Sequence, residues 1–209
     1  MSAAPTTTDS PGRGRPREFD ADEVLEKAIQ LFWTQGYEAT SVSDIVEATG
    51  LNKSSLYNAF GSKDELFALA LQRYVDMRAT MLTQVLVQGT HGLADVHSLF
   101  DLIEMETASP GGDRGCLAVN SSTELGGREE SVEERSLDFR RSIRTALHAA
   151  LGRAAAAGEI DAARTDAYAD VLMAFLLGMS VVARSGAQQS EMREQLASMR
   201  SVVDSWRID

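Results

Sequence analysis

TSVSDIVEATGLNKSSLYNAFGSKDELF, residues Thr40 to Phe67, is the stretch on which the fold turns, because its residue chemistry marks two short helices joined by a tight turn. Ser41 can bring its hydroxyl onto a free backbone N–H while Asp44, three residues on, reaches back, the pattern of a capping box that starts a helix. Gly50 supplies the left-handed conformation that ends this helix, and Asn52 can cap the next, so the turn spans about three residues. Ile45 and Val46 face inward on the first helix. Leu56 and Phe60, four apart, face inward on the second, which turns Lys53, Ser54, Tyr57 and Asn58 outward. From Ala48 to Lys63 there is no Asp or Glu, although the chain carries 31 acidic residues against 20 Lys plus Arg. The acid-free window coincides with the outward face, whose side chains are of the kind that bond phosphates and base edges. Periodicity alone leaves open a second reading, since paired short helices with a Gly turn also occur in proteins that never meet DNA.

Upstream, Asp20 and Glu23 mark the start of a helix running to about Gln35, with Val24, Leu25, Ala28, Leu31 and Phe32 on one apolar stripe. Phe19 stands where a hydrophobic staple would pack against Val24 or a near neighbour, and Gly36 ends the helix. The segment from about Phe19 to Tyr74 resembles the DNA-binding domain of the TetR family of one-component bacterial regulators. The matching residues are Gly36 and Tyr37 before the Thr-Ser entry, Asp44-Ile45, Gly50, Lys53, Leu56-Tyr57, Phe60, and Ser62-Lys63 before Leu66-Phe67. The resemblance implies an all-α protein: an N-terminal three-helix helix-turn-helix DNA-binding domain followed by a C-terminal helical ligand-binding and dimerisation domain. It also implies that Ser41, Lys53, Ser54, Tyr57 and Asn58 contact double-stranded DNA and that Lys63 holds a phosphate from the start of the fourth helix. Asn58-Ala59 stands where many members carry an aromatic-His pair, a departure that bears on the operator sequence and not on the fold.

Ahead of the first helix, residues 1–18 are rich in Pro, Gly, Ser and Thr, lack the apolar content to pack, and do not read as a signal peptide. Within them RGRPR, with Arg13, Arg15 and Arg17, resembles an AT-hook core, in which arginines lie in a narrow minor groove of strongly negative potential. A solvated basic tail is the other reading. The formal net charge of −11 argues against a protein that coats nucleic acid indiscriminately. Residues 1–73 hold seven basic and eleven acidic side chains, so the positive charge of the head is local.

The expected division is a basic arm over 1–18, the DNA-binding domain over 19–74 and a helical body over 75–209. Helices are expected from Ser62 to about Val87, with Leu66, Phe67, Ala70, Tyr74, Met77 and Met81 on its stripe, then over about Leu93–Thr107, Cys116–Leu125 and Glu129–Ala157. SPGGDRG, Ser109–Gly115, reads as a loop. Two further helices, Thr165–Ser185 and Ser190–Trp206, carry apolar faces suited to a four-helix interface between two copies: Val171, Ala174, Phe175 and Gly178 on one, Met192, Leu196, Met199 and Val203 on the other. An ordinary monomer core is the competing reading. Asp170 and Arg184 leave thirteen uncharged residues between them, too few for a membrane span.

A homodimer also follows from mechanism, since one short recognition helix reads too few base pairs and two heads about one DNA turn apart read a near-palindrome. The resemblance implies a small-molecule effector bound in the body, with Phe100, Met105, Cys116, Leu117, Asn120, Phe139 and Ile143 on the pocket-lining helices, and repression by occlusion. Cys116, the only cysteine, follows Arg114 and Gly115 at a helix start, where a cation and the helix dipole would favour thiolate; buried packing is the alternative. It allows no intramolecular disulfide, which fits a cytoplasmic protein. His91 and His97, six apart, share no helical face, so neither metal nor other cofactor is expected. No nucleophile elbow, phosphate loop or general-base geometry supports an enzyme. A helical adaptor that binds another protein is the remaining alternative.

Overall fold

The computed structural model describes residues 19–208, and the three arginines of the proposed arm lie outside them. The described chain is helical throughout: α1 (Ala21–Gln35), α2 (Val42–Thr49), α3 (Lys53–Phe60), α4 (Lys63–Gln88), α5 (Leu93–Thr107), α6 (Leu117–Leu125), α7 (Glu130–Ala156), α8 (Thr165–Arg184) and α9 (Gln189–Asp204). A single turn of 3₁₀ helix, Gly112–Arg114, lies inside the expected loop. Among the described residues the one β-type pairing is the antiparallel bridge between Ile160 and Arg207.

Local chemistry sets the head. Ser41 and Asp44 form both bonds of the capping box, Gly50 takes φ 74° at the end of α2, and the Asn52 side chain accepts from the Ser55 N–H at 2.8 Å. Phe32 meets Phe67 edge-on at 4.9 Å, closing α1 onto α4. Phe19 has its ring 6.0 Å from Phe60 and packs against the core, which gives it an aromatic partner on α3. Ile29, left off the expected stripe, is as buried as Phe32.

α4 opens on a second capping box, Ser62 with Glu65, and runs 26 residues from head into body without a break. Its inward stripe differs from expectation. Beyond Tyr74 the buried positions are Val75, Leu82 and Leu86, while Met77 is 52% exposed. The helix keeps stepping by four where α7 crosses it, and this brings position 78, an arginine, into line with the buried side chains. At the far end Arg153 of α7 donates to the Leu86 carbonyl and, at 2.9 Å, to the buried carboxylate of Asp95 on α5. Asp95 also accepts the His91 N–H, so one ion pair ties three helices together.

α9 packs along α5. Met192, Leu196 and Val203 are buried in the chain's own core, with Leu196 0% exposed. This corrects their assignment to a subunit interface: a four-three apolar seam requires a partner, and the partner here is α5 of the same chain, flanked by Arg200 on Asp101 at 2.7 Å and His97 on Asp204 at 3.0 Å. Met199 and Phe175 are half-buried and pack against the same core. Residues Ala162–Arg184 are long and apolar enough to cross a bilayer by composition, with a mean hydropathy of 1.6. The inner side of α8 is buried, with Leu172 and Met179 in the core, whereas Val171, Ala174, Gly178 and Val181, at steps of three, four and three, form an exposed strip.

Candidate nucleic-acid interface

Lys53, Ser54, Tyr57 and Asn58 project from the outer face of α3, all exposed, with Tyr57 at 49%. Leu56 and Phe60 hold that helix from behind. Ser41 lies at the start of α2, its hydroxyl accepting the Asp44 N–H and its own N–H bound by the Asp44 carboxylate at 2.7 Å. Lys63 is less free. Its ammonium donates to the Thr40 carbonyl at 2.8 Å and sits 4.1 Å from the centre of the Tyr37 ring, which leaves two of its three protons for other acceptors. The Tyr37 hydroxyl donates to Asp64, and burial, then that carboxylate, push the phenol's pKa up, so it stays neutral. Together Tyr37, Asp64 and Lys63 brace the loop that leads into α2.

The head is gripped by the body at the C-terminal end of α1. Trp33 donates its indole N–H to the Gly115 carbonyl at 3.1 Å, and the Arg114 guanidinium lies 4.5 Å over the indole while bonding Gln30 at 2.7 Å. Arg184 of α8 donates to the carbonyls of Trp33 and Thr34, groups that a helix end otherwise leaves unpaired. Glu124 of α6 accepts the consecutive N–H groups of Tyr37 and Glu38 at 3.1 and 2.8 Å. Gly115 has φ 67°, and a Cβ there would stand 2.3 Å from the Ser180 carbonyl of α8, so only glycine lets the loop pass between α1 and α8.

Beside this joint lies a cavity of about 280 Å³ between α4, α5, α7 and α8. Of the residues the sequence placed in a pocket, Cys116, Phe139 and Ile143 line it. Phe100 does not: it is 0% exposed and packs between His97 and Phe175. Met105, 65% exposed, points away from the body, because five residues on a helix turn a side chain to another face; Ile103, Glu106 and Thr107 are the α5 residues that reach the cavity. Leu117 is plain core, and Asn120 donates to the Arg114 carbonyl at 2.9 Å, fixing the loop. Cys116, 4% exposed, is the residue before α6. Arg114, expected beside its thiol, is occupied on Trp33 and Gln30; Arg78 and the Tyr74 hydroxyl are its polar neighbours instead.

Sequence reasoning missed Trp33, Arg78 and Glu106 at the cavity, and Glu124 and Arg184 at the joint. Trp33 lies in the head yet forms part of the cavity wall. Among the described residues no cluster of three or more His, Cys, Asp or Glu side chains has metal-site geometry.

The comparisons agree on what this arrangement resembles. Residues 24–70 match the family model for bacterial regulatory proteins of the tetR family, and residues 92–200 match the tetracyclin repressor-like C-terminal domain. The HTH-type transcriptional repressor ComR of Escherichia coli (strain K12) is 33% identical over 184 residues, covering 87% of this chain and 88% of ComR. The repressor BdcR of the same strain is 25% identical over 173 residues, covering 83% of each. These relatives are transcriptional regulators, which are not enzymes. Among solved structures, a cysteine-substituted CifR complexed with a 26-bp double-strand operator DNA has a TM-score of 0.79 and 28% identity, covering 92% of this chain and all of that one. The reduced form of E. coli NemR shares the fold at a TM-score of 0.77 and 21% identity, covering 90% of this chain and 96% of that one.

Proposed function

The chain belongs to the tetR family of bacterial regulatory proteins and is a transcriptional regulator with a helix-turn-helix head, and on that premise we propose that it represses transcription as an effector-released homodimer. The observation that carries the effector-released part is the position of Trp33. It belongs to the head, lines the body's cavity and hangs from the Gly115 carbonyl, so a molecule entering the cavity meets the head directly. A guest that fits only one placement of Trp33 shifts the balance of head positions by its differential affinity, and roughly 3 kcal/mol of such coupling weakens DNA binding more than a hundredfold.

The DNA contacts of this reading are Lys53 and Lys63 on phosphates, Tyr57 and Ser54 at close approach, Asn58 on a base edge and Ser41 at the start of α2. Arg13, Arg15 and Arg17 extend the contact into the neighbouring minor groove. The dimer forms through the exposed strip of α8, only 33% of whose apolar window is buried within the chain. Such a strip left in water would be an association site in its own right. Two heads related by the dimer axis then read a near-palindromic operator in the cytoplasm, where bacterial DNA lies. Cys116 offers a second route to release, reached by reagents small enough to enter the cavity. Support for repression comes from ComR and BdcR, both named repressors.

A gel shift and footprint with DNA upstream of the chain's own gene tests the reading. A protected near-palindrome, released by a small molecule that also lowers Trp33 fluorescence, is expected. Footprints without symmetry, or release by compounds that never reach the cavity, would overturn it.

A further inference from the structure

Resting on the effector-responsive reading above, the chemistry of the cavity wall says which class of molecule fits it. The wall is mainly apolar, with Leu82, Ile103, Phe139, Leu176 and Met179 among its residues. Set into it is one ion pair, Arg78 of α4 with Glu106 of α5. Burial works against the guanidinium's charge, and the Glu106 carboxylate outweighs it, holding the guanidinium's pKa up. The Nε–H of Arg78 and Oε2 of Glu106 are withdrawn from water and without a hydrogen-bond partner, so the pair meets the cavity through its other, partly exposed side-chain atoms. The other wall cation, Arg114, already bonds Gln30 and Gly111 and lies over Trp33.

A guest here meets a charge-balanced pair whose partly exposed side chains offer N–H donors from the guanidinium and an acceptor from the carboxylate. A carboxylate would bring negative charge beside Glu106, and an ammonium would bring positive charge beside Arg78, so either is repelled by one member of the pair and gives up its own hydration on entering. A pure hydrocarbon fills the apolar volume but takes the pair's partly exposed polar atoms out of water without bonding them. A hydroxyl accepts and donates at once and carries no charge. The volume, at the low end for small-molecule sites, suits one ring or a short chain. We propose that the cavity takes a small, uncharged, mainly apolar hydroxyl compound, a phenol or alcohol, whose hydroxyl engages Arg78 and Glu106.

The test uses five compounds that share one methyl-substituted ring: 4-methylphenol, 4-methylanisole, p-xylene, 4-methylbenzoate and 4-methylbenzylamine. Binding is read as quenching of Trp33 in the full chain carrying Trp206→Phe, which leaves Trp33 as the only tryptophan. The phenol is expected to bind most tightly, with p-xylene weaker by about tenfold and the two ions weaker still. In a variant with Arg78→Met and Glu106→Met together, the advantage of the phenol over p-xylene should vanish; should that variant fail to fold, Glu106→Gln, close in size, should reduce the advantage. Tightest binding by the carboxylate or the ammonium, an undiminished advantage in the variants, or no binding by any of the five would overturn the proposal. Binding in the expected order without release of operator DNA would sustain the ligand class while refuting effector release.

Discussion

Trp33 and Gly115 are 82 residues apart and joined by one hydrogen bond of 3.1 Å, from the indole N–H of the head's first helix to a carbonyl in the body's loop. That bond stands at a three-way junction, because Gly115 also lies against the Ser180 carbonyl of α8 and precedes the cavity residue Cys116. Trp33→Phe removes the donor and leaves a smaller aromatic ring, so a loss of at least about 1 kcal/mol is expected by chemical denaturation. Gly115→Ala should cost more, since the new methyl meets backbone at 2.3 Å and the φ of 67° disfavours it. Equal stability of Gly115→Ala and the parent would show that the junction yields freely.

On the reading helix, Tyr57→Ala and Lys53→Ala should greatly weaken operator binding with unchanged circular dichroism, because both side chains are exposed and neither packs the core. The Lys53 variant should also flatten the dependence of log affinity on log salt by about 0.9, the effect of one phosphate contact. Unaltered affinity in both would move the reading surface off α3.

At the α8 strip, Gly178→Glu separates association from folding. A Cβ at this position meets nothing within 4 Å in the single chain, so the substitution should leave the helix folded while placing a charge in the proposed subunit interface. Sedimentation should then report a monomer with native circular dichroism. Leu196→Glu, by contrast, should unfold the body, since that residue is 0% exposed in the chain's own core. A Gly178→Glu dimer of unchanged mass would place the interface elsewhere.

Acid should loosen the head at two helix starts. The Ser41 hydroxyl and N–H lower the Asp44 pKa below 3.8, and the Ser62 N–H and hydroxyl lower the Glu65 pKa below 4.5. Folded values below unfolded ones mean that each group contributes stability that is complete above its ordinary value and lost as pH falls through the folded value. Protection of amides in the first turns of α2 and α4, measured against their intrinsic exchange rates, should therefore fall as pH drops below about 4. In Asp44→Asn the α2 part of that fall should disappear; its persistence would assign it to another group.

Cys116→Ser should bind operator like the parent yet ignore small thiol reagents. Iodoacetamide, small enough for the cavity, is expected to alkylate the folded parent slowly, and a bulky maleimide much more slowly, given 4% exposure. Rapid and equal labelling by both would mean that the thiol is not confined to the cavity.

What could be read in the sequence was whatever is decided within a few residues. The Ser41–Asp44 box, the Gly50 turn and the Asn52 cap depend on spacings of two or three, and the helices of the body lie within a residue or two of their expected bounds because caps and periodicity are local. Partner choice is not local. The seam of Met192, Leu196 and Val203 announces that α9 packs on something, and nothing in its spacing distinguishes α5 from a second chain. Arg78 escaped for the opposite reason: charged residues are taken as outward, and only the Glu106 carboxylate of another helix makes an inward arginine tolerable. Trp33, Glu124 and Arg184 act across 82 to 151 residues, through contacts that no window of sequence contains.

α4 has no glycine or proline between Lys63 and Gln88. A helix of 26 residues is roughly 39 Å long, and such an uninterrupted rod transmits rotation in place of absorbing it by a kink. Its body end is pinned where Arg153 holds the Leu86 carbonyl, so any tilt is spent at the Lys63 end. By simple geometry a tilt of about 5° carries that end about 3 Å, close to the advance of one base pair along a duplex whose turn of about 34 Å holds about ten. In the proposed dimer, a pivot that small is enough to put one head out of step with the groove while the other stays in it.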